Sequence, residues 1–514
     1  MASPENNSTK PLFSRESMGA VPWILASKCL LFFAYFLISV LIVRALGKVE
    51  YGIFAILKNI ADLLMIVCGL GMNAVLLRFV PELVVNKNRA GLIRLLWKTL
   101  AVQLLLVGFA IALFTPLTSH FARWFDVSFG PLIALMCLSV GFVLFKSWYN
   151  DVLTSLFLGR WVALISFVQG ISWALLLGWL VWRGGASIFA IFVVEMVSIA
   201  ISGAMAIVIL SRSVKAMRWR SPPMGIGRRR VLNMGLAVWG GSIGRAFMMK
   251  YTETFFLGIY FGPAAVAIYD LGYSSTMLVI TFIPMALQTL FASGVAEAFV
   301  KDPDCLPRMV SNLYKVLILL AVPVAAFGVF FSPAAVVLFY GDEMRDAGWI
   351  ASSFCAIHLL PLIAMPLSMA IGAKEKVKEF LPLLYFRVAV NIALDWLLIP
   401  TYGIPGALAA VVLTFLLTFP LRLRLIRSIL GGFHFPLAFL LRFLFACGST
   451  AAIVWLLLPG HTFLNLFAAG GLYGFILLGL LRFAPLLAKE DLAELRALDF
   501  NKLNRLLDLM VGKR

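Results

Sequence analysis

The stretch "VLIVRALGKVEYGIFAIL", Val40 to Leu57, joins two long apolar runs through a turn that holds Arg44, Gly47, Lys48, Glu50 and Gly52. A second stretch, "FLGIYFGPAAVAIYDL" from Phe256 to Leu271, does the same around Gly262. An ungapped shift of 215 residues lays Gly47 on Gly262, Ile53 on Ile268, Phe54 beside Tyr269 and Glu82 on Glu297. Two apolar hairpins at matching places predict a chain built from two related halves. Internal repetition of this kind is a transporter signature, with the substrate site between the halves.

Composition agrees. Of 514 residues 62% are hydrophobic and 13% charged, against about a quarter charged in an ordinary soluble domain. The apolar runs match the roughly 20 residues an α-helix needs to cross about 30 Å of hydrocarbon. A β-barrel would show segments of about ten alternating residues. The fold expected is therefore an all-α polytopic membrane protein of fourteen spans. They are read at 21–43, 52–77, 92–115, 131–158, 161–182, 186–210, 231–260, 263–293, 312–339, 347–371, 379–400, 404–426, 435–458 and 462–483.

The domains follow: a cytoplasmic tail at 1–20, an N-lobe of six spans at 21–210, a basic linker at 211–230, and a C-lobe of six spans at 231–427. Two further spans occupy 428–484, and 485–514 reads as a cytoplasmic amphipathic tail with Leu492, Leu495, Leu498, Leu503, Leu506 and Leu509 at near-helical spacing. The opening residues are polar and lack a cleavable signal pattern, so the first span is expected to serve as its own insertion signal.

A net charge of +19 does not point to nucleic acid, because the basic residues sit in the turns. Connections after even-numbered spans carry them, as with Arg78, Lys87, Arg89 and Arg94, or Lys374, Lys376 and Lys378, while the odd ones are sparse. By the positive-inside rule both termini are expected in the cytoplasm. The odd, outward connections are too short to fold as a domain, which argues against a catalytic module. Cys29, Cys68, Cys137, Cys305, Cys355 and Cys447 are scattered without a C-x-x-C pair, so reduced, mostly buried thiols are expected and neither a metal nor a cofactor.

A charge at bilayer depth costs about 2.5–3.5 kcal/mol, so one that persists faces a partner or a wet cavity. Lys58 and Asp62 stand one turn apart on the second span and can pair. On the seventh, Arg245 and Glu253 share a face of a straight helix, with Lys250 three residues before Glu253. On the eighth, Asp270, Ser274, Met277, Thr281 and Gln288 draw one stripe, and on the eleventh Arg387, Asn391 and Asp395 do the same. Lys28, Lys146 and Arg442 lie near span ends, where long side chains snorkel; Lys28 also stands close to the repeat-equivalent of Arg245. The candidate substrate cavity thus comprises Lys28, Lys58, Asp62, Arg245, Lys250, Glu253, Asp270, Arg387, Asn391 and Asp395. Helix-stapling pairs are the plainer alternative. Glu195 and His358 read as hydrogen-bonded packing residues. A partly cationic cavity suits a phosphate or diphosphate, such as an anionic lipid headgroup.

"RALGKVEYGIFAI" followed by "GLGMNAVLLRFVPE" resembles the first hairpin of the Wzx-type polysaccharide-export flippases of the multidrug/oligosaccharidyl-lipid/polysaccharide (MOP) superfamily. "NIALDWLLIPTYGIPGALAA" at 391–410 resembles the late hairpin of the same family. The resemblance implies a MATE/MurJ-like fold of two pseudo-symmetric six-helix lobes plus two C-terminal helices. It also implies alternating-access movement of an undecaprenyl-diphosphate-linked oligosaccharide across the bacterial inner membrane for O-antigen or exopolysaccharide synthesis. Partners would be the bilayer, the lipid-linked glycan, polymerases or glycosyltransferases and a coupling H⁺ or Na⁺, with Asp62, Glu253 or Asp270 as its carriers. No phosphate loop of the Walker type occurs, so ATP hydrolysis is not expected. The glycines of "GLG" at 69–71 and "GGSIG" at 240–244 read as helix-packing residues. A lipid II flippase or a multidrug or small-cation antiporter of the same fold are the nearest alternatives. An O-antigen polymerase, ligase or glycosyltransferase would need a sizeable outward loop.

Overall fold

In hydrocarbon a backbone amide has no partner but another amide, so apolar runs close their hydrogen bonds locally as helices. The computed structural model describes residues 15–125, 130–217, 227–247, 249–301, 306–374, 377–430, 435–459 and 462–483, and among them the chain is helical throughout with no strand. The elements are α1 (Arg15–Gly69), α2 (Met72–Val85), α3 (Arg89–Phe114), α4 (Thr118–Phe125), α5 (Leu132–Ser155), α6 (Gly159–Trp182), α7 (Ile188–Ala216) and α8 (Arg228–Ala246). They continue with α9 (Tyr251–Lys301), α10 (Leu306–Tyr340), α11 (Ala347–Ile357), α12 (Leu359–Ala373), α13 (Val377–Tyr402), α14 (Ile404–Leu430), α15 (Leu437–Leu457) and α16 (Phe463–Phe483).

α1 and α9 are each a hairpin. Tyr35 donates to Gln169 Oε1 at 3.2 Å and Lys58 Nζ to Glu195 Oε1 at 2.9 Å, while Gln169 Nε2 meets Ser198, one turn from Glu195, at 3.5 Å. On a straight helix residues 35 and 58 would stand roughly 35 Å apart. The chain doubles back at Gly47, whose φ of 71° and ψ of 178° lie outside helical space. Likewise Lys250 Nζ bonds Asp270 Oδ1 at 2.5 Å, although a straight helix would part them by about 30 Å. Here the fold-back is Gly262, at φ 75° and ψ −178°. Two glycines in one backbone conformation, 215 positions apart, are the predicted repeat in physical form, since few other residues tolerate that φ. The Glu82–Glu297 match cannot be followed, because the side chain of Glu297 lies outside the described residues.

Among the described residues twelve helices are long and apolar enough to cross a membrane, two of them the hairpin segments 31–69 and 251–282. Dividing these at Gly47 and Gly262 gives the fourteen expected spans. Three are interrupted in ways the apolar pattern did not predict. The second span breaks at Leu70 and Gly71, both at positive φ, and resumes as α2. The seventh ends as α8 and resumes at Tyr251, and the tenth breaks between α11 and α12 at His358.

One apolar core joins both hairpins through Leu57, Leu257, Ala267, Tyr269 and Ile350. A second packs α10 against α15 and α16 through Leu317, Phe443 and Ala469, and a third holds α2, α3, α5 and α6 through Phe79, Leu92, Val152 and Ile165. Large apolar side chains also cover the outside, with Trp182 81%, Phe445 79%, Leu464 80% and Phe475 77% exposed. Water would not tolerate so extensive a surface and lipid does. Cys68, Cys137, Cys355 and Cys447 are free and buried; Cys29 and Cys305, like the 485–514 tail and half of the linker, fall outside the described side chains.

The lobes are fastened at both ends. At the hairpin end Arg44 donates to the carbonyls of Phe339 (2.6 Å) and Leu338 (2.7 Å), and Lys48 pairs with Asp346 at 3.1 Å. At the opposite end Arg230 grips both oxygens of Glu82, at 2.8 and 3.1 Å, and Trp239 donates to the Val67 carbonyl at 3.1 Å. The Glu82–Arg230 pair is half exposed and contributes under about 1 kcal/mol. Reversing Glu82 to Arg, which sets it against Arg78 and Arg230, is expected to lower the thermal unfolding temperature of the purified protein, and adding Arg230→Glu to restore it. If the double reversal stays as destabilised as the single, the pair is not the fastener.

Candidate functional site

The inner walls of the two hairpins bring a charged cluster together between them. Lys58, on the descending arm of the first hairpin, points at α7 and bonds Glu195, and Asp62 follows one turn below. Asp62 lies in the field of Lys58, Lys250, Glu195 and Asp270 at once, and the Tyr251 hydroxyl reaches it. From the second hairpin Asp270, 5% exposed, receives Lys250 at 2.5 Å, Tyr51 at 2.9 Å and Asn59 at 3.3 Å. Lys250 also bonds Ser274 at 2.7 Å and sits 5.6 Å from the Tyr273 ring. It takes this place because the helix is broken just ahead of it, freeing its side chain to swing toward α9.

A second group lies deeper in the C-lobe. Glu253, 2% exposed, and Asp395, fully buried, share a neighbourhood with Asn391 and Thr252. Asn391 Nδ2 approaches Glu253 Oε1 at 3.5 Å, and Thr252 donates to Asn391 Oδ1 at 3.3 Å. Neither Asp395 oxygen has a hydrogen bond of ordinary geometry, and the buried Tyr269 hydroxyl nearby is also unpartnered. Buried carboxylates are normally paired or ligate a cation. These offer oxygen ligands and no ammonium. Among the described residues no group of three or more His, Cys, Asp and Glu is placed to hold a metal ion.

Of the expected cavity residues, Lys58, Asp62, Lys250 and Asp270 meet in the first cluster, and Glu253, Asn391 and Asp395 in the second. Several expectations need correction. Lys58 bonds Glu195, not Asp62, so Glu195 is an ion-pair partner and more than a packing residue. Lys250 pairs with Asp270, not Glu253, because the break after α8 rotates one half of the span against the other. The same break removes the shared face of Arg245 and Glu253; Arg245 is exposed and bonds Ser242 at 2.9 Å. Arg387 stands two turns from Asp395 beside α14, apart from both clusters. The side chain of Lys28 lies outside the described residues. Lys146 does not snorkel: it donates to Gln169 at 2.9 Å in the N-lobe interior. The first cluster also has three carboxylates to two ammonium groups, so it is not the cationic centre that a simple census of charges suggests. His358, 3% exposed and bonded to the Tyr273 carbonyl at 3.1 Å, is the packing residue expected.

The pattern alone missed Tyr51, Asn59, Gln169, Tyr251 and Thr252. Tyr51 and Asn59 find their acceptor more than 200 residues away, which helical spacing cannot reveal; the 215-residue shift, which sets the two hairpins against each other, was the available signal.

A family profile described as "Polysaccharide biosynthesis protein" matches residues 20–291. A comparison with curated protein sequences gives no significant match. Among solved structures, the chain resembles a lipid II flippase MurJ in an inward closed conformation, at TM-score 0.67 and 15% identity over 88% of this chain and 97% of that one. It resembles an inward-facing multidrug resistance MATE family transporter of the MOP superfamily at 0.60 and 15%, over 79% and 99%. A MOP superfamily transporter from Pyrococcus furiosus, described by its binding pocket of reverse polarity, follows at 0.53 and 15%, over 80% and 94%. At these identities the likeness is one of fold, and each of the three is a transporter.

Proposed function

Because the chain belongs to the polysaccharide biosynthesis protein family, we propose that it is a flippase for undecaprenyl-diphosphate-linked oligosaccharide repeat units, moving them between leaflets of the bacterial inner membrane for O-antigen or exopolysaccharide assembly. The observation that carries this reading is the first charged cluster, held where the hairpins of the two lobes meet. A hydrophilic headgroup crossing there exchanges water for Lys58, Asp62, Lys250 and Asp270, while its polyprenyl tail stays in lipid. The exposed Arg245 supplies a fork for a diphosphate. Opening the Glu82–Arg230 fastener or the Lys48–Asp346 fastener, one at a time, gives alternating access. Polymerases or glycosyltransferases would supply and consume the glycan.

The test is the leaflet in which lipid-linked oligosaccharide accumulates after the gene is deleted, read with a membrane-impermeant sugar probe. Cytoplasmic build-up, reversed by the wild-type chain, supports the reading. Periplasmic build-up moves the protein to a later step and overturns it, and build-up of lipid II would assign it the lipid II flippase role.

The Glu253–Asp395 pair supports coupling to an inward cation gradient, sodium or proton, since two buried carboxylates in one pocket favour an added positive charge. Asp395→Asn is expected to lower transport about tenfold and to flatten its response to sodium or to pH, whichever ion drives the wild type. A variant with the wild-type response would remove the pair from coupling.

A further inference from the structure

Arg387 and Arg422 line one pocket between α13 and α14, together with Phe380, Leu383, Leu384 and Thr418. The α13 residues recur at i, i+3, i+4 and i+7 and the α14 residues at i, i+4, so a single face of each helix builds it. Arg387 lies ten residues into α13, roughly 15 Å from its start, and Arg422 lies toward the end of α14, two residues before Arg424 and five before Arg427. Two guanidinium groups facing one pocket repel one another, and that of Arg387, well inside its span, is costly. Arg387 Nε has no hydrogen-bond partner; its guanidinium rests 5.8 Å from the Phe415 ring, and that of Arg422 lies 5.1 Å from Phe380. The charge on Arg387 is thus backed by aromatic rings and, among the described residues, answered by no carboxylate.

An arginine fork selects planar or tetrahedral oxyanions and grips phosphate by two parallel bonds. Basic pockets between transmembrane helices are the usual seat of anionic headgroups. The apolar wall of Phe380, Leu383 and Leu384 continues the pocket with a surface that suits a hydrocarbon chain. We propose that Arg387 and Arg422 form a phosphate-binding site between α13 and α14, separate from both charged clusters, filled by the phosphate of an anionic membrane lipid. This site is independent of which glycan the protein carries, and it gives Arg387, on the stripe of Asn391 and Asp395, a neighbourhood of its own.

The full-length protein, purified in neutral detergent, is titrated with phosphatidylglycerol, with phosphatidylcholine of the same chains, and with inorganic phosphate, and binding is read by native mass spectrometry and thermal unfolding. Phosphatidylglycerol is expected to bind and stabilise, phosphatidylcholine much less, and Arg387→Gln to weaken the phosphatidylglycerol effect at least tenfold, with Arg387→Lys intermediate because it keeps the charge and loses the fork. Stabilisation by millimolar inorganic phosphate that vanishes in Arg387→Gln would keep the anion site and replace the lipid as its source. Equal lipid binding by wild type and a normally folded Arg387→Gln overturns the proposal. Should Arg387→Gln fail to fold, Thr418→Leu, which fills the pocket without touching charge, gives the same reading.

Discussion

A Lys250→Met variant is expected to reach the membrane in reduced amount and to lose transport by a hundredfold or more. Lys250 neutralises Asp270 at 2.5 Å, and removing one partner of a buried pair leaves an uncompensated charge costing about 3–5 kcal/mol. Tyr51 and Asn59 still donate to that carboxylate, but a neutral donor replaces only part of an ammonium. The strain falls on the conformation in which the hairpins meet, and about 3 kcal/mol there shifts the balance between two states by more than a hundredfold. The double variant Lys250→Met/Asp270→Asn removes the stranded charge and should recover abundance without recovering transport. Both quantities are measurable in one strain, as protein per cell and glycan exported per protein. Transport by the single variant at the wild-type rate would remove the pair from the site.

Gly52→Val is expected to abolish accumulation of folded protein. A Cβ at Gly52 would drive into the backbone carbonyl of Pro263 and lie 2.5 Å from its carbonyl carbon, where neither chain can yield without moving a hairpin. Overpacking against a side chain costs about 1–3 kcal/mol; against backbone on both sides the strain is larger. Gly108→Ala, with nothing within 4 Å of its Cβ, is the matched control and should behave as wild type in fluorescence-detected size exclusion. A monodisperse, full-height peak for Gly52→Val would mean that the two hairpins do not touch there.

The fourteen spans were legible because hydropathy and length decide whether a helix crosses lipid, and both are local properties of the chain. The repeat was legible for a related reason: Gly47 and Gly262 mark turns that few other residues can make. The partners of the intramembrane charges were not. Lys58 and Asp62 at i, i+4 satisfy the geometry of a helical pair, yet Glu195, 137 residues away, takes the lysine because α7 presents an oxygen that an adjacent turn cannot place better. Lys250 and Glu253 fail as a pair for another reason. The interruption between α8 and α9 carries no proline, and "MMKYTE" reads as continuous helix, so the rotation that sends Lys250 to Asp270 leaves no local trace. Arg387, Asn391 and Asp395 do share a stripe as spaced, but a stripe eight residues long spans roughly 12 Å, enough to serve two different neighbourhoods.

Each lysine of the first cluster is matched within its own lobe, Lys58 to Glu195 in the first and Lys250 to Asp270 in the second. Between the two hairpins at this cluster, the described contacts across the seam come from uncharged donors, the Tyr51 hydroxyl and the Asn59 amide on Asp270 and the Tyr251 hydroxyl on Asp62. A unit charge driven through the membrane field exchanges about 2.3 kcal/mol per 100 mV. A lobe that carries its ammonium and carboxylate as a tethered dipole swings through that field with almost no electrical work, breaking neutral hydrogen bonds at the cluster and leaving the ion pairs to be broken at the exposed fasteners of either end. Under the coupling proposed above, Asp62 and the Glu253–Asp395 pair, which lack such a tether, are the charges on which the membrane field would act.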